Sequence, residues 1–287
     1  RRVAEAYASI WANESPMRTT LLAQVAAVQT RLSAEYPDLD ISVLPGMSYG
    51  KPSFKLALDQ LRADGIERVV VLPLFPQYSA TSTGPLYDQL GSWVKQQRNL
   101  PSFHIVRDYH AHAAYVSALA DSIRAHWQAH GRADKLLFSF HGIPQPYADK
   151  GDPYPEQCRA TAAAVAAELG LADGEWEQSF QSRFGLREWV KPYTDELLER
   201  WGHEGVASVQ VLCPAFSADC LETLEEIAVE NHDEFIKAGG QRYEYISALN
   251  ASDAHIDLFV ALLQKPIEAV SCRGCRVSAV PCSRCQC

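Results

Sequence analysis

Leu136-Leu137-Phe138-Ser139-Phe140-His141-Gly142-Ile143-Pro144-Gln145-Pro146-Tyr147 is the stretch on which the fold turns. Residues 136–140 form an apolar run of strand length, suited to burial on both faces of a parallel sheet. His141 follows at once, and Gly142, Pro144 and Pro146 prevent a simple continuation of the strand. The histidine therefore stands at the carboxyl end of a parallel strand, the edge of an open α/β sheet where ligands collect. Position alone leaves two readings open: a reactive imidazole, or one that bonds a loop carbonyl.

On either side of this strand, helical and extended patterns alternate. Helical spacing is expected over 3–11, 21–32, 54–61, 87–98, 113–130 and 155–169, and strands over 41–44, 69–72 and 104–107. Such alternation is the mark of α/β units around a parallel sheet. A weak internal repeat supports two such units. Gly65-Ile66-Glu67-Arg68-Val69-Val70-Val71-Leu72 has a counterpart in Gly205-Val206-Ala207-Ser208-Val209-Gln210-Val211-Leu212, each a helix-ending glycine with a strand-closing leucine seven residues on. The expected architecture is two similar Rossmann-like α/β lobes, each a parallel sheet flanked by helices, facing each other across a cleft. The alternative reading is that helix–Gly–strand is a common phrase in any α/β protein. The division expected is 1–128 for the first lobe, 129–265 for the second and 266–287 for a cysteine-rich tail.

Composition narrows the function. A net charge of −9 without a basic cluster argues against nucleic-acid binding. No apolar run is long enough to span a bilayer, so at most peripheral membrane contact is expected. Of eight cysteines, Cys158, Cys213 and Cys220 are scattered through the body, as in a reduced, cytoplasmic protein. Cys272, Cys275, Cys282, Cys285 and Cys287 crowd the last sixteen positions.

The second lobe carries Phe216-Ser217-Ala218-Asp219-Cys220-Leu221-Glu222-Thr223-Leu224-Glu225-Glu226, which leads from a strand end into a helix. Asp219 and Glu222 have the spacing of a capping pair. A second reading notes that Glu222, Glu226 and Glu230 fall at i, i+4 and i+8, one carboxylate stripe down a helix. Like charges so spaced repel mildly, which suits a path for cations or protons. An imidazole at one strand end and a carboxylate at the next lobe's strand end are expected to meet across the cleft, a donor set fit for divalent iron.

Phe140-His141-Gly142-Ile143-Pro144, Gly151-Asp152-Pro153-Tyr154, Phe180-Gln181-Ser182-Arg183-Phe184-Gly185, Trp189 and Asp219-Cys220-Leu221-Glu222-Thr223-Leu224 together resemble the ferrochelatase family. Ser15-Pro16 and the run from Leu72 to Ser79 fit it too, and the similarity extends from Arg1 to about Leu263. The resemblance implies a chelatase-like fold with a porphyrin cleft, and insertion of Fe²⁺, as substrate, into protoporphyrin IX in the terminal step of haem synthesis. It implies His141 and Glu222 as catalytic and metal-binding residues, and Glu226 and Glu230 as a proton or metal path. It further implies Tyr7, Ser15, Tyr78 and Trp189 as porphyrin contacts, and a cytoplasmic enzyme peripheral to the inner membrane at most. Family members normally open with a strand and an Asn-Leu-Gly-Thr-Pro-like loop, so the first lobe is expected to be N-terminally incomplete. Some members carry a [2Fe–2S] cluster near the carboxyl end, and two C-x-x-C pairs suit thiolate ligation. For the tail cysteines a [2Fe–2S] cluster, zinc or redox chemistry, and no function all stay open. A related coproporphyrin or sirohydrochlorin chelatase, and a non-catalytic porphyrin- or haem-binding module, are the rival functions.

Overall fold

The computed structural model describes residues 15–271. Tyr7, the helix expected over 3–11, and Cys272, Cys275, Cys282, Cys285 and Cys287 lie outside the described residues. The run around Phe138 is a strand, β3 (Lys135–His141), with Leu136 to Phe140 buried and His141 half-exposed at its end. It is central in a four-stranded parallel sheet of order β4-β3-β5-β6, with β4 at Trp176–Gln181, β5 at Ser208–Leu212 and β6 at Arg242–Ile246. A smaller parallel sheet pairs β1 (Arg68–Val71) with β2 (Ser102–Ile105).

Helices surround both sheets: α1 (Pro16–Glu35), α2 (Phe54–Ala63), α3 (Gly84–Val94), α4 (Ala113–His130), α5 (Gln145–Asp149), α6 (Tyr154–Leu169) and α7 (Thr194–His203). After β5 the chain forms a π-helix, Glu222–Asn231, that runs directly into α8 (His232–Lys237), and after β6 comes α9 (Asp253–Ser271). Strand periodicity divides the core around β3. Leu136, Phe138 and Phe140 pack with Tyr115 and Ile123 of α4, Cys158 and Val165 of α6 and Phe259 of α9. Leu137 packs on the other face with Leu197, Leu198 and Trp201 of α7, Ile227 of the π-helix and Phe235 of α8.

The two expected lobes are present, and their repeat is visible in backbone bonds. Met47 N–H donates to Pro52 O (2.8 Å) before α2, and Phe180 N–H donates to Pro192 O (2.8 Å) before α7. Both helices end alike, with Ile66 N–H bonding Leu61 O and Val206 N–H bonding Trp201 O, each 3.0 Å, around Gly65 and Gly205 at positive φ. This is the Schellman arrangement. It recurs at Gly170 and Gly239, so the glycine turn is common phrasing and the bond before each helix is the better mark of the repeat.

One expected strand is absent. Residues 41–44 form no ladder. By the repeat they take the place that β4 takes beside β3, and among the described residues no strand of the first lobe stands where β3 stands. The Gln29 amide acts as their neighbour instead, donating to Ile41 O (2.9 Å) and accepting from Val43 N–H (2.8 Å). Conversely, β4, β6 and α9 stand outside the expected elements; β6 carries aromatic and β-branched residues suited to a strand, Tyr243, Tyr245 and Ile246.

The π-helix is held from its far end by the packing of α8 on α7, where Gly202 has no room for a side chain. A Cβ there would lie 2.6 Å from Ala238 Cβ and 2.9 Å from its carbonyl carbon. Gly202→Ala should therefore lose about 1–3 kcal/mol from overpacking, more than the ~1 kcal/mol of helix propensity that alanine adds. The measurement is the urea midpoint at unchanged slope; an unaltered midpoint would contradict this packing.

Candidate active site

In parallel strands, residues level with one another point to the same face. Ser139 and His141 of β3 are level with Ser179 and Gln181 of β4, and Leu137 shares their face by alternation. A row of polar side chains thus ends the sheet surface that α7 and the π-helix cover. Ser139 Oγ donates to Gln181 Oε1 (2.8 Å) and meets Thr194 Oγ1 at 2.9 Å, and Thr194 Oγ1 meets Ser179 Oγ at 2.8 Å. Cys213, just beyond β5, donates its thiol to the same Gln181 oxygen (3.3 Å). These buried groups are all partnered, as burial demands.

At the end of this row His141 Nδ1 lies 2.7 Å from Gly142 O. A carbonyl only accepts, so Nδ1 carries a proton and Nε2 is the nitrogen left to exchange one. The loop-carbonyl reading of this histidine is correct, and it is also what leaves the second nitrogen available. The ring lies 6.5 Å from the Trp189 ring and 6.3 Å from that of Phe216. Gly142 is obligatory here: a Cβ would come within 3.0 Å of Gln181 O and 3.1 Å of Trp189 Cε3. Trp189 is itself 6% exposed, braced by its Nε1–H to Phe184 O (3.0 Å) and by Val190 N–H to Ile143 O (3.0 Å).

Glu222, Glu226 and Glu230 do not face His141 from the other lobe as expected: the sheet that carries the histidine also carries their segment, which is a π-helix. Its i→i+5 bonding widens each turn beyond 3.6 residues. Two carbonyls five apart, Glu222 O and Ile227 O, take bonds from sheet side chains, Gln181 Nε2 at 2.9 Å and Tyr243 OH at 2.7 Å. Glu226 is the most engaged of the three acids. Its carboxylate accepts from Ser182 N–H (2.6 Å), Ser182 Oγ (2.5 Å) and, at 3.5 Å, Gln181 Nε2. Ser182 adopts φ 63°, a left-handed conformation uncommon for a residue with a Cβ, and so aims both donors at one acid. Burial pushes the Glu226 carboxyl up; the Ser182 bonds, nearby His141 and Gln181 pull it back. Glu222 is half-buried beside the Cys220 thiol, whose pKa it helps to raise after burial, and Glu230 is exposed.

Asp219 and Glu222 are not a capping pair. The π-helix has no side-chain cap, and Asp219 instead accepts from Tyr245 OH (2.7 Å), Asn250 Nδ2 (2.7 Å), Thr223 Oγ1 (3.1 Å) and Ala248 N–H (3.2 Å). The acid fastens the segment before the π-helix to the turn after β6, a contact that local spacing cannot show.

Of the remaining expected residues, Ser15 precedes α1 without a side-chain cap bond. Tyr78 lies beyond β1 under the Arg107 guanidinium, 4.2 Å from its ring centre, and its N–H donates to Gln157 Oε1 (2.7 Å) across to α6. Phe216, Ser182 and Gln181 were not singled out beforehand. Gln181 and Ser182 stand at a strand end directly level with and beyond His141, which was the available signal. Among the described residues no group of three or more His, Cys, Asp or Glu could hold a metal ion.

Because Glu226 titrates at a raised value when folded, its contribution to stability is full below the unfolded carboxyl value and is lost as pH rises through the folded one. The other titratable groups facing it are His141, the Cys213 thiol and the Tyr243 phenol, the last two held neutral by burial. Glu226→Gln should therefore gain in Tm relative to the parent chain between about pH 4 and about pH 8. A difference that shrinks over that range would reverse the sign assigned to this acid.

A profile of the family described as "Ferrochelatase" matches residues 1–266. The ferrochelatase of Psychrobacter sp. (strain PRwf-1) is 62% identical over 269 residues, covering 94% of this chain and 79% of that protein. That of Acinetobacter baumannii (strain ATCC 17978) is 56% identical over 271 residues, covering 94% and 80%. Among solved structures, SirB from Bacillus subtilis with Fe³⁺ superposes with a TM-score of 0.62 over 88% of this chain and 91% of SirB, at 10% identity. That likeness concerns the fold alone. The motifs, the two-lobed α/β fold and these near-full-length matches agree: the chain belongs to the ferrochelatase family.

Proposed function

We propose that this chain is a ferrochelatase, a lyase that inserts Fe²⁺ into protoporphyrin IX to form protohaem, the terminal step of haem synthesis. Family membership supports the reaction, and one local observation carries the site: an imidazole whose Nδ1 is committed to Gly142 O, leaving Nε2 to act, beside a half-buried carboxylate, Glu226.

Insertion requires the ring to lose two pyrrole protons and the iron to lose its water shell. His141 Nε2 is the first acceptor; a proton taken there makes an imidazolium, which the Glu226 carboxylate stabilises. General-base help of this kind is worth about 10²–10⁴-fold. The acid raised by burial is itself poised to take a proton nearer neutrality than an ordinary carboxylate. Glu222, Glu226 and Glu230 then lead to the surface, and carboxylates with imidazole suit a hydrated divalent iron entering by the same route. Trp189 and Phe216 wall the imidazole, Tyr78 flanks the cleft from the first lobe, and with Ser15 and Tyr7 they form the proposed porphyrin contacts. A bend of the macrocycle against such walls, typically ~1–5 kcal/mol of strain, would expose the pyrrole nitrogens.

The lobes are proposed to divide between residues 128 and 129. Three body cysteines, free and buried, support a reduced cytoplasmic setting, and no helix among the described residues is long and apolar enough to cross a membrane. The C-x-x-C spacing of the tail supports thiolate ligation of a [2Fe–2S] cluster or zinc; visible absorbance of anaerobically prepared protein with and without the tail distinguishes them.

His141→Ala should abolish metal insertion while porphyrin still binds, read as persistent porphyrin fluorescence with Fe²⁺ present; near-normal turnover would reject the assignment. Glu222→Gln should slow insertion at little change in porphyrin KM. Protoporphyrin, coproporphyrin and sirohydrochlorin offered side by side test the substrate, and faster turnover of either of the last two would displace the present reading.

A further inference from the structure

Gln181 joins both strands beside the histidine to the π-helix that carries the acids. It is 3% exposed, sits level with His141 in the parallel register, and its backbone carbonyl accepts from Gly142 N–H (2.8 Å). Its amide uses both ends fully. Oε1 accepts from Ser139 on β3 and Cys213 after β5; Nε2 donates to Glu222 O (2.9 Å) and reaches Glu226 Oε2 (3.5 Å). Glu222 O can only accept, so the orientation of the amide is settled by its partners.

We propose that Gln181 is a positioning residue of metal insertion, its amide fixing the Glu222 backbone and the Glu226 carboxylate relative to His141. The proposal rests on the functional reading above. A neutral donor is the fitting choice. A cation would pair with Glu226 and block its titration, whereas a second acid would repel it at the same spot. The hydroxyls of Ser139, Thr194 and Ser179 anchor the far side of the amide, so the geometry is set from the rigid sheet.

The test compares Gln181→Met and Gln181→Glu with the parent chain in anaerobic Fe²⁺ insertion over about pH 6 to 9, with kcat and porphyrin KM measured separately. Q181M, of similar length but without donors, should lower kcat by about 10–100-fold, as supporting-shell losses do, at little change in KM. Q181E, of the same length but with an acceptor in place of the donor, should lower kcat in the same way. If Q181E does not fold, the kcat-against-KM split of Q181M decides alone. Variants that lose Tm yet keep the parent kcat and pH profile overturn the positioning role while the chelatase reading stands. A parent chain without metal insertion overturns that reading, and this proposal with it.

Discussion

A strand buried on both faces has no lateral surface on which to display a reactive group, so whatever chemistry it supports must sit at its end. This constraint governs the molecule. β3 is sealed by α4, α6 and α9 on one side and by α7, the π-helix and α8 on the other. At its carboxyl end the His141 side chain leaves the core, and there Gly142 lets the strand meet the loop that carries Trp189 without a clash. The orientation of the imidazole follows from a single bond to the next residue's carbonyl.

The same strand alternation explains why polar groups gather on the π-helix face. Ser139 interrupts an otherwise apolar run, yet it costs nothing in burial because Gln181 and Thr194 satisfy it. A buried polar network of this kind must be complete or it destabilises. Its completeness transfers the rigidity of the sheet to the π-helix through the Gln181 amide, which bonds the Glu222 carbonyl and reaches the Glu226 carboxylate.

The lobes differ in how they contribute. The second provides the imidazole and the acids from a four-stranded sheet; the first reaches across with Tyr78, Gln77 and Ser79. Their bonds to Gln157, Thr161 and Asp152 tie the loop after β1 to α6 and the turn before it. Tyr115 of α4 donates to Pro214 O, and Gln24 of α1 bonds Asn250 O (2.9 Å).

Periodicity and punctuation in the sequence were enough to locate β3, the histidine at its end, the alternation of strands with helices and the acidic stripe, because each depends on neighbours within one turn or one strand. Residue identities in order were enough to place the chain in its family. Local spacing misread Asp219 as a cap and residues 41–44 as a strand, since the deciding partners, Tyr245 and Asn250 in one case and a neighbouring strand in the other, are remote in the chain. Only the tertiary structure singled out Glu226 as the acid most fully held beside His141, converted the stripe's helix to a π-helix, and gave Gln181 and Ser182 their roles. Those outcomes depend on the register between parallel strands and on side chains arriving from the far end of the sheet, and neither leaves a mark on the spacing of residues along the chain.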